Sequence, residues 1–339
     1  MAGMFARTPD KGALSSGAFS RRATGVTGIG DVREDRDHGE MTTYDDDLPV
    51  ILAALPSRFQ MVRELGRGGF GVVLLARDTL LHRLVAIKAL RTDRLGSESD
   101  RERFRVEART LAALQHPGII PLLWYEDSDA LAFLVLPYIR GGSLAELLRR
   151  ERALHPAIAR RILITLADAL EHAHRGGVVH LDLKPENVLF TEPSAGAPPL
   201  LVDFGAASFP SRDPGVGGGR ETQGTPRFMS PEQAVGASDI DARSDIYSLG
   251  VLGYLMLAGK LPGGGGAAAT AAIDGAREPL DVAAPHVPDF MVYAIERSLA
   301  HDRGRRWRRA GEMRDALSEP RGALTVGPWG RFLRRWRRA

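Results

Sequence analysis

One stretch of the sequence brings together side chains that suit phosphate chemistry. Asp182 is followed closely by Asn187, and Asp203 begins an Asp-Phe-Gly triplet a little further along the chain. Phosphoryl transfer needs a carboxylate that orients and deprotonates the attacking hydroxyl, and oxygen ligands that hold Mg²⁺ on the phosphates. These three residues supply that set, so the stretch is a candidate site for phosphoryl transfer.

A glycine-rich segment lies earlier in the chain, between two strand-like stretches. Gly66, Gly68, Gly71 and Val73 fit the pattern G-x-G-x-x-G-x-V, in which missing side chains let backbone amides approach the phosphates of a nucleotide. Alone, the pattern is also typical of a glycine-rich hairpin turn. Its interpretation therefore depends on the elements that follow it.

A lysine and then a glutamate follow the glycine-rich segment along the chain. Lys88 ends a β-branched run, and a lysine there can neutralise phosphate oxygens if a partner holds its side chain. Glu107 lies on an amphipathic segment predicted to be a helix between Asp100 and Leu114. The alternative is an exposed ion pair worth ~0–1 kcal/mol. The order of glycine loop, lysine strand and glutamate helix disfavours that alternative.

These motifs together resemble those of the eukaryotic-type (Hanks-type) protein serine/threonine kinases, in particular the bacterial group. The resemblance covers about residues 59–317 and extends through Ser230-Pro-Glu232 to Asp245 and Arg306. It implies an α+β, two-lobed fold with a small strand-rich N-lobe, one regulatory helix and a larger helical C-lobe. It also implies transfer of the ATP γ-phosphoryl group to Ser/Thr hydroxyls of protein substrates, with autophosphorylation.

The resemblance assigns a role to each matching residue. Asp182 would be the catalytic base and Lys184 would steady the γ-phosphate, while Lys88 would contact the α- and β-phosphates. The implied catalytic residues are Asp182, Lys184, Lys88 and Glu107. The implied ligands of Mg²⁺, or of Mn²⁺ in its place, are Asn187 and Asp203.

The nucleotide would lie between the glycine loop and a hinge. Leu136 would be the gatekeeper, and adenine would meet the carbonyl of Pro137 and the amide of Ile139, because proline keeps its carbonyl. The residues implied to contact ATP are Leu65, Gly66, Gly68, Gly71, Val73, Ala86, Lys88, Leu136, Pro137 and Ile139.

Four further residues are implied to support the structure rather than the reaction. Glu232 and Arg306 would form a buried ion pair, and Asp245 would cap the backbone of the catalytic loop. His180 beside the aspartate could suggest acid–base work. The family pattern instead favours a packing and hydrogen-bonding role for it.

One departure from the family pattern concerns regulation. Leu181 stands where the family commonly has an arginine that pairs with a phosphorylated activation loop, which makes the catalytic loop non-RD. Leucine cannot form a charge-assisted pair with phosphate. We therefore expect that modification of Ser208, Ser211 or Thr222 is not needed for activity.

Two other classes of function remain open. A pseudokinase would act as a nucleotide-gated binding module, but the retained lysine, aspartates and asparagine disfavour it. A small-molecule phosphotransferase could share the lobes, but Lys184 and Ser230-Pro-Glu232 resemble machinery for peptide substrates.

Length and composition bound the organisation of the chain. The 339 residues suffice for a two-lobed domain with tails. We predict a disordered tail over residues 1–55, in which no periodicity is sustained, and a kinase domain over residues 56–318. Within it, the predicted N-lobe covers about residues 56–136, the hinge residues 137–142 and the mainly helical C-lobe residues 143–318. β-Branched and alternating runs predict strands at residues 59–65, 72–75 and 84–88, and another strand pair around residues 119–125 and 131–136. Residues 319–339 form a basic amphipathic tail.

Composition also limits the location and partners of the protein. The chain has no cysteine and a net charge of only +3, which excludes disulfides and thiolate metal sites and gives no sign of nucleic-acid binding. The most apolar segment, Ile246–Gly259, is shorter than the ~20 residues of a membrane helix, so it is predicted to be a buried helix. We expect a cytoplasmic protein without a transmembrane segment, of unknown oligomeric state.

The last residues could form an interfacial helix. Trp329, Phe332, Leu333 and Trp336 are spaced to share one helix face, with arginines on the other. This pattern would allow peripheral contact with the inner face of a membrane. Docking of the same stripe onto the C-lobe and a frayed tail are the alternatives, because so short a helix is marginal in water.

Overall fold

The computed structural model describes residues 47–68, 71–194, 196–205, 226–263 and 277–318. They form a strand-rich N-lobe and a helical C-lobe, which confirms the predicted two-lobed α+β fold. The rest of the predicted N-terminal tail, the hydroxyls of the activation loop and the C-terminal tail lie outside these residues.

The N-lobe is built on an antiparallel sheet with strand order β1-β2-β3-β5-β4. Its strands are β1 (Phe59–Arg67), β2 (Gly71–Asp78), β3 (Arg83–Leu90), β4 (Trp124–Asp127) and β5 (Ala132–Pro137). The first three were predicted from their β-branched runs. The fourth was predicted to begin at Ile119, which is wrong. Ile119 instead forms a bridge to Leu201, and the Ile120 amide donates to the Leu201 carbonyl.

One face of this sheet is covered by a helix that the sequence did not predict. Helix α1 (Asp47–Ala54) places Ile51, which has no exposed surface, against a cluster that includes Leu74, Ile87 and Phe133. The prediction of a disordered tail through residue 55 is therefore wrong for residues 47–54. An eight-residue helix is unstable alone, so burial of its apolar side chains supplies the stability that its length cannot.

The other face of the sheet packs against helix α2 (Glu98–Ala113), which corresponds to the predicted amphipathic helix. The Ser97 side chain caps the start of the helix by accepting the amide of Asp100. Arg101 and Arg105 both form ion pairs with Asp127 on β4. These ion pairs join the helix to β4, the edge strand of the sheet, and Glu107 lies on the same helix.

The C-lobe is mainly helical, as predicted. Its helices are α3 (Leu144–Glu151), α4 (Pro156–Arg175), α5 (Pro231–Ala234), α6 (Arg243–Ala258), α7 (Leu280–Ala283), α8 (Asp289–Ser298) and α9 (Ala310–Ser318). A two-stranded sheet pairs β6 (Val188–Phe190) with β7 (Pro199–Leu201). Helix α6 is buried along nearly its whole length, which confirms the prediction for the most apolar segment. No helix in the described ranges is long and apolar enough to cross a bilayer.

Helix α1 provides a direct test of N-lobe packing. We expect Ile51→Ala to lower the free energy of unfolding by ~2–5 kcal/mol, because it leaves a cavity against the sheet. Val50→Ala, on the same helix but with 51% of the residue exposed, should change it by less than about 0.5 kcal/mol. Urea unfolding of both variants is the measurement. Equal effects would show that α1 does not belong to the core.

Candidate active site

The side chain of Lys88 lies between two carboxylates from different parts of the fold. Its Nζ is 2.7 and 2.8 Å from the two carboxylate oxygens of Glu107, on helix α2, and 2.8 Å from Oδ1 of Asp203. The Glu107 side chain is only 4% exposed, whereas that of Asp203 is 42% exposed. The cluster therefore links the sheet, helix α2 and the segment that follows β7, with one carboxylate facing solvent.

The charges of this cluster reinforce one another. Burial alone would lower the pKa of Lys88, but the two carboxylates outweigh that effect and raise it, so the lysine stays protonated. The positive charge of Lys88 holds the pKa of Asp203 at about 2, against the opposing effect of burial. Burial raises the pKa of Glu107, and Lys88 offsets part of that rise. Asp203 is consequently an ionised carboxylate at neutral pH.

The glycine loop has one glycine that is tightly packed against the sheet and two that have open space around them. A Cβ at Gly71 would lie 2.6 Å from the carbonyl oxygen of Ala89, so close packing against β3 requires glycine there. A Cβ at Gly66 or Gly68 would meet no described atom within 4 Å. Leu65 lies where the β1–β2 register shifts between its two neighbours. Close packing within the sheet thus explains Gly71 but gives no reason for Gly66 or Gly68.

Three residues predicted to contact the nucleotide lie on the face of the sheet that carries Lys88. Val73 is the cross-strand partner of Lys88, and Ala86 is the partner of Leu136. Pro137 ends β5, where a missing amide hydrogen is tolerated. Val73, Ala86 and Leu136 therefore form an apolar patch beside the lysine on this face of the sheet.

The segment after β5 continues from the N-lobe into the C-lobe. Ile139 lies within it, between Pro137 and the start of α3. Gly141 then packs against the C-lobe so tightly that a Cβ there would come within 2.1 Å of the Phe190 carbonyl oxygen. The Gly141 amide donates to that same carbonyl. This close approach fixes where the predicted hinge enters the C-lobe.

The predicted catalytic loop brings its polar residues into direct contact. Lys184 Nζ donates to Oδ2 of Asp182 at 2.6 Å. The Asn187 amide nitrogen donates to the carbonyl oxygen of Asp182 at 2.8 Å and to its Oδ2 at 3.1 Å. Because both of these bonds use the nitrogen, the amide oxygen of Asn187 is the atom that can face a cation.

A buried carboxylate on helix α6 holds the backbone of this loop. Asp245 has no exposed surface and accepts the amides of His180 and Leu181, each at 2.8 Å. It also accepts Nε2 of His174 at 2.8 Å. Leu181 adopts φ +65°, a left-handed conformation that costs a non-glycine residue ~1–2 kcal/mol. The hydrogen bonds to Asp245 help to offset that strain.

His180 has a structural role in this arrangement. Its Nδ1 accepts the Asp182 amide at 3.3 Å, so its Nε2 carries the proton and donates to the Val202 carbonyl at 3.2 Å. The fully buried ring packs edge-on against Phe204, with ring centroids 4.6 Å apart. Both ring nitrogens therefore contact the backbone, which agrees with the packing and hydrogen-bonding role expected from the family pattern.

The expected ion pair between Glu232 and Arg306 is present. The two guanidinium Nη atoms lie 2.6 and 2.8 Å from the two carboxylate oxygens, and the arginine is 1% exposed. Arg306 also donates to the carbonyls of Ala300, His301 and Arg243. The pair joins the start of α5 to α6 and to the segment before α9.

Three contacts in the site were not anticipated from the sequence. These are the bond from Lys88 to Asp203, the bond from His174 to Asp245, and a bond from the Gln233 side chain to the Leu181 carbonyl. Gln233 had one local signal, since it is the fourth residue of a Ser-x-x-Gln capping box that begins at Ser230. The other two contacts join residues 115 and 71 positions apart, for which sequence spacing gives no signal.

Comparison with known proteins agrees with this geometry. The model of the protein kinase domain matches residues 59–292. Over 279 residues the chain is 38% identical to serine/threonine-protein kinase pkn2 of Myxococcus xanthus, which covers 80% of this chain and 33% of that protein. It is 36% identical over 278 residues to serine/threonine-protein kinase PknA of Mycobacterium tuberculosis, covering 80% of this chain and 63% of that protein.

The two lobes and the polar clusters around Lys88 and Asp182 agree with the arrangement that the motifs predicted. The chain belongs to the protein kinase domain family, which confirms the resemblance noted from its motifs. Serine/threonine-protein kinase PknB of Mycobacterium tuberculosis is also similar, at 35% identity over 277 residues, with 78% of this chain and 43% of that protein covered. The matched region thus spans between one third and just under two thirds of these three relatives.

Arg306 allows a test of the buried ion pair. We expect Arg306→Leu to lower the free energy of unfolding by ~3–5 kcal/mol, because it leaves the Glu232 carboxylate without its partner. Arg305→Leu is the matched control, since that side chain is 83% exposed, and should change stability by less than about 0.5 kcal/mol. Urea unfolding at neutral pH distinguishes the two. A small effect of Arg306→Leu would contradict a structural role for the pair.

Proposed function

We propose that this chain is an ATP-dependent protein serine/threonine kinase. The observation that carries the proposal is the pairing of Lys88 with both Glu107 and Asp203, in a chain that also joins Asp182 to Lys184 and Asn187. Phosphoryl transfer depends on positioning and electrostatic stabilisation, which these two clusters can provide. The relatives described above, which carry the name serine/threonine-protein kinase, support the choice of substrate class.

In the proposed reaction, each side chain acts on one part of the transfer. Asp182 orients the attacking Ser or Thr hydroxyl and accepts its proton as the new oxygen–phosphorus bond forms. The bond from the γ-phosphorus to the β–γ bridging oxygen breaks, and ADP leaves with that oxygen. Lys88 neutralises charge on the α- and β-phosphates, and Lys184 does so on the γ-phosphate.

The donor atoms at the site suit Mg²⁺. Asp203 is ionised at neutral pH, and its solvent-facing carboxylate together with the amide oxygen of Asn187 offers hard oxygen ligands. Mg²⁺ is commonly held by one or two carboxylates with waters and phosphate oxygens, so this small set is sufficient. When bound, the ion would neutralise charge on the phosphates.

Autophosphorylation and a non-RD mode of control form part of the same proposal. Leucine at position 181 offers no charge for a phosphate on the activation loop. We infer that a phosphate at Ser208, Ser211 or Thr222 would modify the loop without activating the enzyme. The aromatic and arginine spacing of the C-terminal tail would also allow peripheral contact with an anionic membrane surface.

Two aspartates provide the test of the chemistry. We expect Asp182→Asn to abolish phosphorylation of a generic basic protein by labelled ATP and Mg²⁺, while binding of ATP is retained, because the base is lost but the nucleotide contacts are not. Asp203→Asn should lose Mg²⁺-dependent ATP binding as well. Transfer to the basic protein and isothermal titration with ATP, each with and without Mg²⁺, are the measurements.

Asp129→Asn is the matched control for both variants, since this exposed residue lies in the turn between β4 and β5 and belongs to neither cluster. It should behave as the wild type. Substantial turnover by Asp182→Asn would refute the assignment of the base. A wild-type protein that binds ATP without transferring phosphate would instead favour a pseudokinase, and transfer to small alcohols alone would favour a small-molecule phosphotransferase.

A further inference from the structure

Gln233 connects helix α5 to the loop that carries Asp182. Its Nε2 donates a hydrogen bond of 2.8 Å to the carbonyl oxygen of Leu181, 52 residues away in sequence. Gln233 is only 3% exposed. A hydrogen bond made by a buried side chain is shielded from competition with water, so it can fix the relative position of the two segments that it joins.

The other end of the Gln233 side chain is also held. Its Oε1 accepts the Ser230 amide at 3.1 Å and the Ser230 hydroxyl at 3.2 Å. Because the Ser230 amide can only donate, the oxygen must face it, and the nitrogen must face the Leu181 carbonyl. The orientation of the amide is therefore determined by the hydrogen-bond network.

The carbonyl that Gln233 binds belongs to the peptide group joining Leu181 to Asp182. The amide hydrogen of this same peptide group is donated to Nδ1 of His180 at 3.3 Å. The peptide is thus held on both edges, by Gln233 on one side and His180 on the other. The preceding residue is strained at φ +65°, so this plane needs external contacts to keep its orientation.

We propose that Gln233 is a positioning residue for Asp182, an inference that rests on the proposed kinase function. By holding the peptide plane before Asp182, it sets the direction of the carboxylate that receives the hydroxyl proton. The contact joins the segment after the activation loop to the catalytic loop through a neutral amide. Leucine at position 181 cannot pair with a phosphate on the activation loop. The Gln233 amide joins the two segments without any phosphate.

The competing explanation is that Gln233 only caps helix α5. Two variants separate these roles. Gln233→Glu retains the capping box, which accepts glutamate as well as glutamine, but places an oxygen against the Leu181 carbonyl. Ser230→Ala removes the capping hydroxyl while leaving the amide of Gln233 able to donate to Leu181. Gln233→Met has similar volume and no donor in any protonation state, so it serves if the glutamate variant folds poorly.

The experiment measures kcat and the KM for ATP on phosphatase-treated protein, together with hydrogen–deuterium exchange in peptides that span residues 178–184. We expect Gln233→Glu and Gln233→Met to lower kcat by roughly tenfold to a hundredfold, with KM for ATP changed by less than about twofold. Exchange in the loop should become faster in both. Ser230→Ala should have a smaller effect on kcat and leave exchange in the loop unchanged.

The outcomes separate this proposal from the kinase assignment. If the wild type transfers phosphate but the two Gln233 variants retain its kcat, Gln233 does not position Asp182. If Ser230→Ala lowers kcat as much as Gln233→Glu, the residue acts only through helix α5, and the proposal is overturned. If the wild type is inactive, the kinase assignment fails, and unchanged exchange in the Gln233 variants would then overturn the positioning role independently.

Discussion

The ammonium group of Lys88, held between Glu107 and Asp203, is the interaction on which the arrangement of the lobes around the site depends. It joins the sheet, helix α2 and the segment after β7 at one point. A lysine that is largely buried loses the hydration of its charge, and two carboxylates at hydrogen-bond distance compensate for that loss. Removing either carboxylate would leave charge poorly compensated, so the three elements are coupled through their charges.

The space around this cluster is also restricted. A Cβ at Gly205 would lie 3.1 Å from both Asp203 Oδ1 and Glu107 Oε2, closer than side chains normally approach. Asp203 itself adopts φ +64°, a conformation that a non-glycine residue holds only with support from its surroundings. Strain thus lies at Asp203, the proposed Mg²⁺ ligand, and at Leu181, next to the proposed base Asp182, and hydrogen bonds to Lys88 and Asp245 hold the two positions.

The sequence predicted the elements that have a local periodic or apolar pattern, but it did not predict the contacts that form only in the tertiary structure. The strands around Lys88, helix α2 and buried helix α6 were predicted because periodicity and apolar runs are local signals. Helix α1 was missed because eight residues carry too weak a pattern, and only burial of Ile51 reveals its partner. The Lys88–Glu107 pair followed from the order of motifs, whereas the bond between Gln233 and Leu181 joins segments that only folding brings together.

The most direct test of the central claim is the kcat/KM for ATP of Glu107→Gln compared with Glu98→Gln. Both substitutions lie on helix α2, but the Glu98 side chain is 80% exposed and that of Glu107 is 4% exposed. Loss of a buried charge-assisted bond to Lys88 should reduce kcat/KM by roughly tenfold to a hundredfold in Glu107→Gln. Glu98→Gln should remain within about twofold of the wild type. Equal activity of the two variants, with both proteins folded, would contradict the claim that this ion pair organises the site.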